Sequence, residues 1–336
     1  VIDVDGTSNL DIVAGGSGNS LYVFENPEDN GDDAFDPTDW SNTAYAELSS
    51  DVGDDIFALD VGDADNDGDN DILIGCDATA AEGIFGVQIW KHPGSTPYET
   101  DWVQVNVKDS AKDIIDVELA DIYGGGEGID VVYIVSAASG GFMNNDGTSD
   151  KTIFTMRWDN GEEGWINGEG LGAELDLEEI EVGDVDNDGD IDIVSFSSIA
   201  SSGNEVELWL NDGSGGDRFG TTANSGRSVA LGTTFTDAVL SDFDNDDDLD
   251  IAAATDGSQV LTFDYSSGGF GVATGQTSFG SGARINVVLA FDIDNDGATD
   301  IAVAIDSTDN GGETVEIAVL ENAIPEFTTL LAPIVS

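Results

Sequence analysis

Basic residues are nearly missing from this chain of 336 residues: Lys and Arg total 8 against 70 Asp and Glu, for a formal net charge of -62. A surface with that field repels phosphate, which excludes nucleic acid and anionic membrane surfaces as partners. One cysteine, Cys76, excludes an intrachain disulfide and reads as a small buried residue. One histidine, His92, follows a strand-like run beside Pro93 and reads as a loop residue, so no Ser-His-Asp or Cys-His constellation is in reach. Six prolines leave no polyproline linker, and no run of 18 apolar residues spans a membrane. The scattered cations Lys91, Lys108, Lys112, Lys151, Arg157, Arg218, Arg227 and Arg284 offer no cluster to neutralise an acidic sugar.

What is present is apolar material and glycine. Hydrophobic residues make up 40%, with 6 Trp, 15 Phe and 6 Tyr, which is too much for a disordered acidic tail. The 43 glycines imply many tight turns. So large an excess of one charge is held folded most easily where salt shortens its reach, to about 8 Å at physiological ionic strength and about 3 Å at 1 M. The composition therefore predicts a saline, marine or halophilic setting, with bound cations offsetting part of the charge.

One phrase repeats along the chain: GDADNDGDNDILIG at 62–75, GDVDNDGDIDIVSF at 183–196, SDFDNDDDLDIAAA at 241–254 and FDIDNDGATDIAVA at 291–304. A weaker copy, IDVDGTSNLDIVAG, lies at 2–15, and a degenerate one, ADIYGGGEGIDVVYI, begins at 120. The first aspartates are Asp3, Asp63, Asp121, Asp184, Asp242 and Asp292. In each unit a short apolar stretch precedes the acidic loop, a β-branched run follows it, and an alternating segment with a large residue comes third (VQIWKH, VELWLNDG, VLTFDY). A fourth, more polar segment such as DWVQVNV can be placed in several units. These are strand signals with Gly, Asn and Asp at the turns. Four strands per unit, repeated about every 60 residues, predict an all-β, six-bladed β-propeller of four-stranded antiparallel blades over 1–322.

Within the loop, carboxylates fall at positions 1, 3, 5 and 9, and Gly68 stands at position 6 of the 63–71 copy. Two carboxylates about 5 Å apart repel by roughly 3 kcal/mol at an effective dielectric near 20, so gathering four onto one point requires a cation. Six to eight hard oxygens suit Ca²⁺ better than Mg²⁺, and softer metals find no His or Cys nearby. The last acid arrives too early for an EF-hand, and a β run follows it where a helix would be expected.

This acidic loop between strands, D-x-D-x-D-G-x-x-D, resembles the FG-GAP or VCBS repeat family, to which integrin α-subunit propellers are similar. The resemblance implies a Ca²⁺ loop joining the first and second strands of a blade. Carried over, it implies ligands at Asp63, Asp65, Asp67 and Asp71; Asp184, Asp186, Asp188 and Asp192; Asp242, Asp244, Asp246 and Asp250; and Asp292, Asp294, Asp296 and Asp300. Position-7 carbonyls would come from Asp69, Asp190, Asp248 and Ala298. Asp247 replaces the usual glycine and predicts a strained turn. Asp3, Asp5 and Asp11 form a weaker site because Thr7 replaces an acid, and Asp121, Glu127 and Asp130 a doubtful one.

The tail AIPEFTTLLAPIVS, 323–336, is apolar and resembles the PEF-type sorting tails of archaeal surface proteins. Three fates stay open for it: completing the last blade, leading to a membrane anchor, or adding as a strand to a neighbouring molecule in a filament. The expectation is a non-enzymatic, extracellular or cell-surface protein, stapled by calcium, structural or adhesive, with self-association, a glycan or another surface protein as partner. The alternative is a carbohydrate-active propeller, lyase, hydrolase or lectin.

Overall fold

The strands of each repeat pair antiparallel in sequence order, because short β-branched runs joined by tight turns close hairpins before they can close anything longer. The computed structural model describes residues 10–16, 20–27, 45–48, 55–76, 85–94, 102–109, 113–124, 128–135, 153–159, 164–172, 177–197, 206–213, 218–219, 235–266, 268–271, 275–279, 283–293, 297–307, 314–323 and 326–332. The chain divides into two units, 1–141 with 153–170, and 142–152 with 171–336.

The first unit holds three sheets. One is β1 (Ile12–Gly15), β2 (Leu21–Phe24) and β3 (Tyr45–Leu48). The next is β4 (Ile56–Gly62), β5 (Asp71–Cys76), β6 (Phe85–Lys91) and β7 (Val103–Asp109). The third is β8 (Ile114–Ala120), β9 (Asp130–Val135), β10 (Ile153–Asp159) and β11 (Gly164–Leu171). The second unit repeats the plan. It holds β12 (Leu177–Gly183), β13 (Asp192–Ser197) and β14 (Val206–Trp209); then β15 (Phe235–Ser241), β16 (Asp250–Thr255), β17 (Gln259–Phe263) and β18 (Gly275–Ser278). Its last sheet is β19 (Ala283–Phe291), β20 (Asp300–Ser307), β21 (Thr314–Ala323) and β22 (Glu326–Ala332). Four of the six sheets have four strands, and those opening with β1 and β12 have three among the described residues. Tail residues Glu326–Ala332 pair with β21 and supply the fourth strand of the last sheet.

The second strand of a sheet is its most buried. β5, β9, β13 and β16 are buried at every position. In β16, Ile251 and Ala253 pack with Phe196, Leu208 and Phe263, while Ala252 and Ala254 pack with Ile285, Ile301 and Leu320. A strand covered on both faces has no polar face to alternate with, hence the unbroken runs DILIG and DIAAA. Cys76 closes β5 as a buried free thiol.

The first strands carry a bulge at one place. The register slips at Ile56/Ala58, Ile114/Asp116, Leu177/Glu179, Phe235/Asp237 and Ile285/Val287. Acids after the bulge reach the first strand of the next sheet within the same unit. Asp60 Oδ2 accepts from Leu119 N at 2.7 Å, Glu179 Oε1 from Ala238 N at 3.1 Å and Asp237 Oδ2 from Val288 N at 2.6 Å. Where the residue ahead of the slip approaches the preceding sheet, size is complementary. A Cβ on Gly15 would lie 2.9 Å from Ile56 Cγ2, and one on Gly75 2.7 Å from Ile114 Cγ2. In the second unit Phe235 instead meets the Phe196 ring at 5.5 Å, edge to face.

Gly75→Ala should therefore destabilise the fold by about 1–3 kcal/mol, since Ile114 sits in an already dense core. Urea unfolding of the purified variant against the parent protein measures it.

Candidate metal centres

The acidic loops join first to second strands: 63–70 between β4 and β5, 184–191 between β12 and β13, 242–249 between β15 and β16. All three fold around their own carboxylates. The position-1 oxygens accept from the N–H groups of positions 5 and 6: Asp63 from Asp67 (2.9 Å) and Gly68 (3.0 Å), Asp184 from Asp188 (2.9 Å) and Gly189 (2.9 Å), Asp242 from Asp246 (3.2 Å) and Asp247 (3.2 Å). The position-5 carboxylates of Asp67, Asp188 and Asp246 accept from Asp69, Asp190 and Asp248 N. Doubling back so tightly needs left-handed backbone twice. Position 4 supplies Asn66, Asn187 and Asn245 at φ 59, 54 and 61°, and position 6 supplies Gly68 and Gly189 at φ 99 and 95°. Asn tolerates that region better than most side chains, which accounts for its recurrence at position 4. Asp247 adopts φ 75° where its counterparts are glycine, the strained turn the sequence predicts.

The position-9 carboxylate does a different job. It is buried and pinned at both oxygens, one by an N–H of the loop and one by an N–H at or just past the end of the third strand. Asp71 accepts from Ala64 N (3.1 Å) and His92 N (2.8 Å), Asp192 from Val185 N (2.9 Å) and Asn211 N (2.7 Å), and Asp250 from Phe243 N (3.2 Å) and Tyr265 N (2.8 Å). Asp130 makes the same pair with Tyr123 N (2.8 Å) and Trp158 N (2.9 Å), although its loop has lost most other acids. Buried Asp11 accepts from Asn26 N, and buried Asp300 from Ile293 N.

With those anchors set, carboxylates converge. One oxygen each from Asp63, Asp65 and Asp71 lies within 4.8 Å of the others, and the same holds for Asp184, Asp186 and Asp192. In the 242–250 loop, Asp242, Asp244 and Asp246 converge, as do Asp244, Asp250 and Asp264. At position 3, Asp65 Oδ1 and Asp186 Oδ1 are shielded from solvent with no protein donor. A desolvated carboxylate oxygen without a donor is unfavourable unless a cation meets it, so this donor set fits a hard divalent ion.

Burial pushes the Asp71, Asp192 and Asp250 carboxyls up to about 7 from 3.8; the N–H donors oppose this and neighbouring aspartates add to it. Asp130 is pushed up to about 6, again chiefly by burial.

The remaining expected residues sort as follows. Asp3, Asp5, Glu127, Asp294 and Asp296 lie outside the described residues. Gly297 at φ 91° donates to Asp292 Oδ2 at 3.0 Å, repeating the position-1 turn, and Ala298 is buried. Asp121 is exposed, and position 3 of its loop is Tyr123, whose hydroxyl is engaged by Thr155 and Glu169 N. His92 follows β6, its ring edge-on to Trp102 at 5.2 Å. Sequence reasoning missed Asp264, Lys91 (Nζ to Asp65 Oδ2 2.6 Å) and the clamping role of position 9. The clamp had a signal, an Asp at 130 kept in a loop that retains only Asp121 and Glu127 of its other acids.

Residues 184–253 and 242–303 match the family model described as FG-GAP-like repeat. No curated protein sequence matches the chain. Among solved structures, the chain is similar to Saccharomyces cerevisiae Sqt1, with a TM-score of 0.51 and 8% identity over 96% of this chain and 72% of that one. It is also similar to BBS1N in a complex with ARL6DN, soaked with lead, with a TM-score of 0.51 and 8% identity over 87% of this chain and 71% of that one. The likeness is one of fold: all-β and β-propeller-like.

Two outcomes follow from the loops. Asp247→Gly should stabilise the protein by about 1 kcal/mol by removing a Cβ from left-handed backbone, and Gly189→Ala should cost about as much even though its Cβ would meet open space; thermal melts of both variants check the opposite signs. The raised carboxyls give a second test. Their folded values lie above 3.8, so their contribution is fully present below about pH 4 and lost as pH climbs through 6 to 7. Stripped of divalent ions, the protein should melt at falling temperature from pH 5 to pH 8, read by circular dichroism.

Proposed function

We propose that the chain is a six-bladed, calcium-stabilised β-propeller acting outside the cell in a structural or adhesive role. Convergence of three carboxylates onto one point in each fully described acidic loop, with shielded position-3 oxygens in two of them, is the observation that supports it. Ca²⁺ would be held by Asp63, Asp65 and Asp71, by Asp184, Asp186 and Asp192, and in the 242–250 loop by Asp244 with either Asp242 and Asp246 or Asp250 and Asp264; the loop at 292–300 would take a fourth ion. The ion supplies positive charge where the chain's own cations are scarce, and the loop residues hold the turn between first and second strands ready for it.

With a single cysteine, cation binding would take the stapling role that disulfides play in many secreted domains. Extracellular calcium modules work at about 10⁻⁴–10⁻³ M affinity. An ion that binds only the folded chain adds about 2.7 kcal/mol per site at a hundredfold excess over Kd.

Chelation should lower the melting temperature by more than about 10 °C, since several sites each contribute and about 1 kcal/mol moves a large domain by 2–4 °C. Differential scanning calorimetry in excess EGTA against millimolar calcium decides it; superimposable curves would sink the assignment.

A further inference from the structure

One place in the repeat varies in charge from one acidic loop to the next. The sheet registers define it: Ile72 pairs with Trp90, Val131 with Met156, Ile193 with Trp209 and Ile251 with Phe263. The next residue along each third strand is Lys91, Arg157, Leu210 and Asp264. Each directly precedes the residue whose N–H closes the position-9 aspartate, and so stands beside the acidic loop. In the 242–250 loop this place adds a carboxylate, Asp264, to Asp244 and Asp250. In the 184–192 loop it holds apolar Leu210, packed against the core. In the 63–71 loop it holds an ammonium.

That ammonium is held in a definite position. Lys91 Nζ lies 2.6 Å from Asp65 Oδ2 and 5.4 Å from the centroid of the Trp158 ring, so an ion pair and a cation–π contact fix it. Lys91 and Asp65 side chains are 27% and 13% exposed, which screens the pair less than an open surface ion pair. Asp65 is also the position-3 carboxylate that converges with Asp63 and Asp71, and its other oxygen, Oδ1, is shielded from solvent with no protein donor.

We propose that Lys91 is a tethered counter-ion of the 63–71 loop: it neutralises Asp65 from within the chain, weakens divalent cation binding there relative to the loops at 184–192 and 242–250, and keeps the loop closed when calcium is scarce. The inference rests on the calcium reading above. A divalent ion entering this loop meets an ammonium on a shared carboxylate, and the two repel. A chain with graded loops would keep one blade set by its own charge and let calcium set the others. Arg157 stands at the same place in its own unit, over the Tyr123 ring at 5.8 Å.

Calorimetric titration of Ca²⁺ into the chelator-stripped full chain tests it. Lys91→Met should tighten the weakest class of sites at least tenfold, a gain abolished by adding Asp65→Asn. Lys91→Arg, which keeps the charge, should titrate like the parent. Asp264→Lys, the same device placed in the second unit, should weaken one tight site at least tenfold, and it reads the idea independently if Lys91→Met folds poorly. In EDTA, Lys91→Met should melt below the parent and recover in calcium. An unchanged titration for Lys91→Met, or an equal melting loss with and without calcium, overturns the proposal and leaves the calcium reading standing. A parent chain that takes up no calcium removes both.

Discussion

A buried aspartate stands just ahead of β1 (Asp11) and opens the second strand of the other five sheets (Asp71, Asp130, Asp192, Asp250 and Asp300). A buried carboxylate must be met by donors or by charge. Here four of the six receive one N–H from the loop and one from the end of the third strand, at Asp71, Asp130, Asp192 and Asp250. That single group ties three strands at one end. It persists at Asp130, in a loop whose position 3 is Tyr123 and which keeps few acids, so the clamp does not depend on the full acidic set.

On that clamp the acidic loops are assembled in layers. Position 1 folds the turn by accepting two N–H groups, left-handed residues at 4 and 6 let the backbone return, and position 3 brings in an oxygen that the protein does not satisfy. Neighbouring loops are also joined. Ile129 N donates to Ala64 O at 3.2 Å, and Leu249 N to Val185 O at 3.1 Å, one such link in each unit. A loop held by charge therefore bears on the next through the backbone as well as through the field.

Packing between sheets follows a related economy of space. Strands β5, β9, β13 and β16 are covered on both faces, and in three first strands the residue ahead of the bulge meets a small or aromatic partner on the preceding sheet of the same unit: Ile56 meets Gly15, Ile114 meets Gly75 and Phe235 meets Phe196. The bulge then turns an acid toward the next first strand, as at Glu179 and Asp237. Hydrophobic contact and a charged hydrogen bond thus join the same pair of sheets, and the charged bond fixes their register.

Much of this could be read from residue order, because it is local. Repeated acids at 1, 3, 5 and 9, a β-branched run after them and an alternating segment beyond fix the loop, the hairpins and the four-stranded sheets, since each involves neighbours within about twenty residues. Other features depend on which residues strand register brings together. Asp264 joins Asp244 only because β16 and β17 set their register, Lys91 reaches Asp65 by the same route in the other unit, and β22 takes the edge of β21 although its sequence only marks it as apolar. Local spacing specifies which atoms can gather; strand register, set by two-sided burial and by the clamped aspartates, decides which of them do.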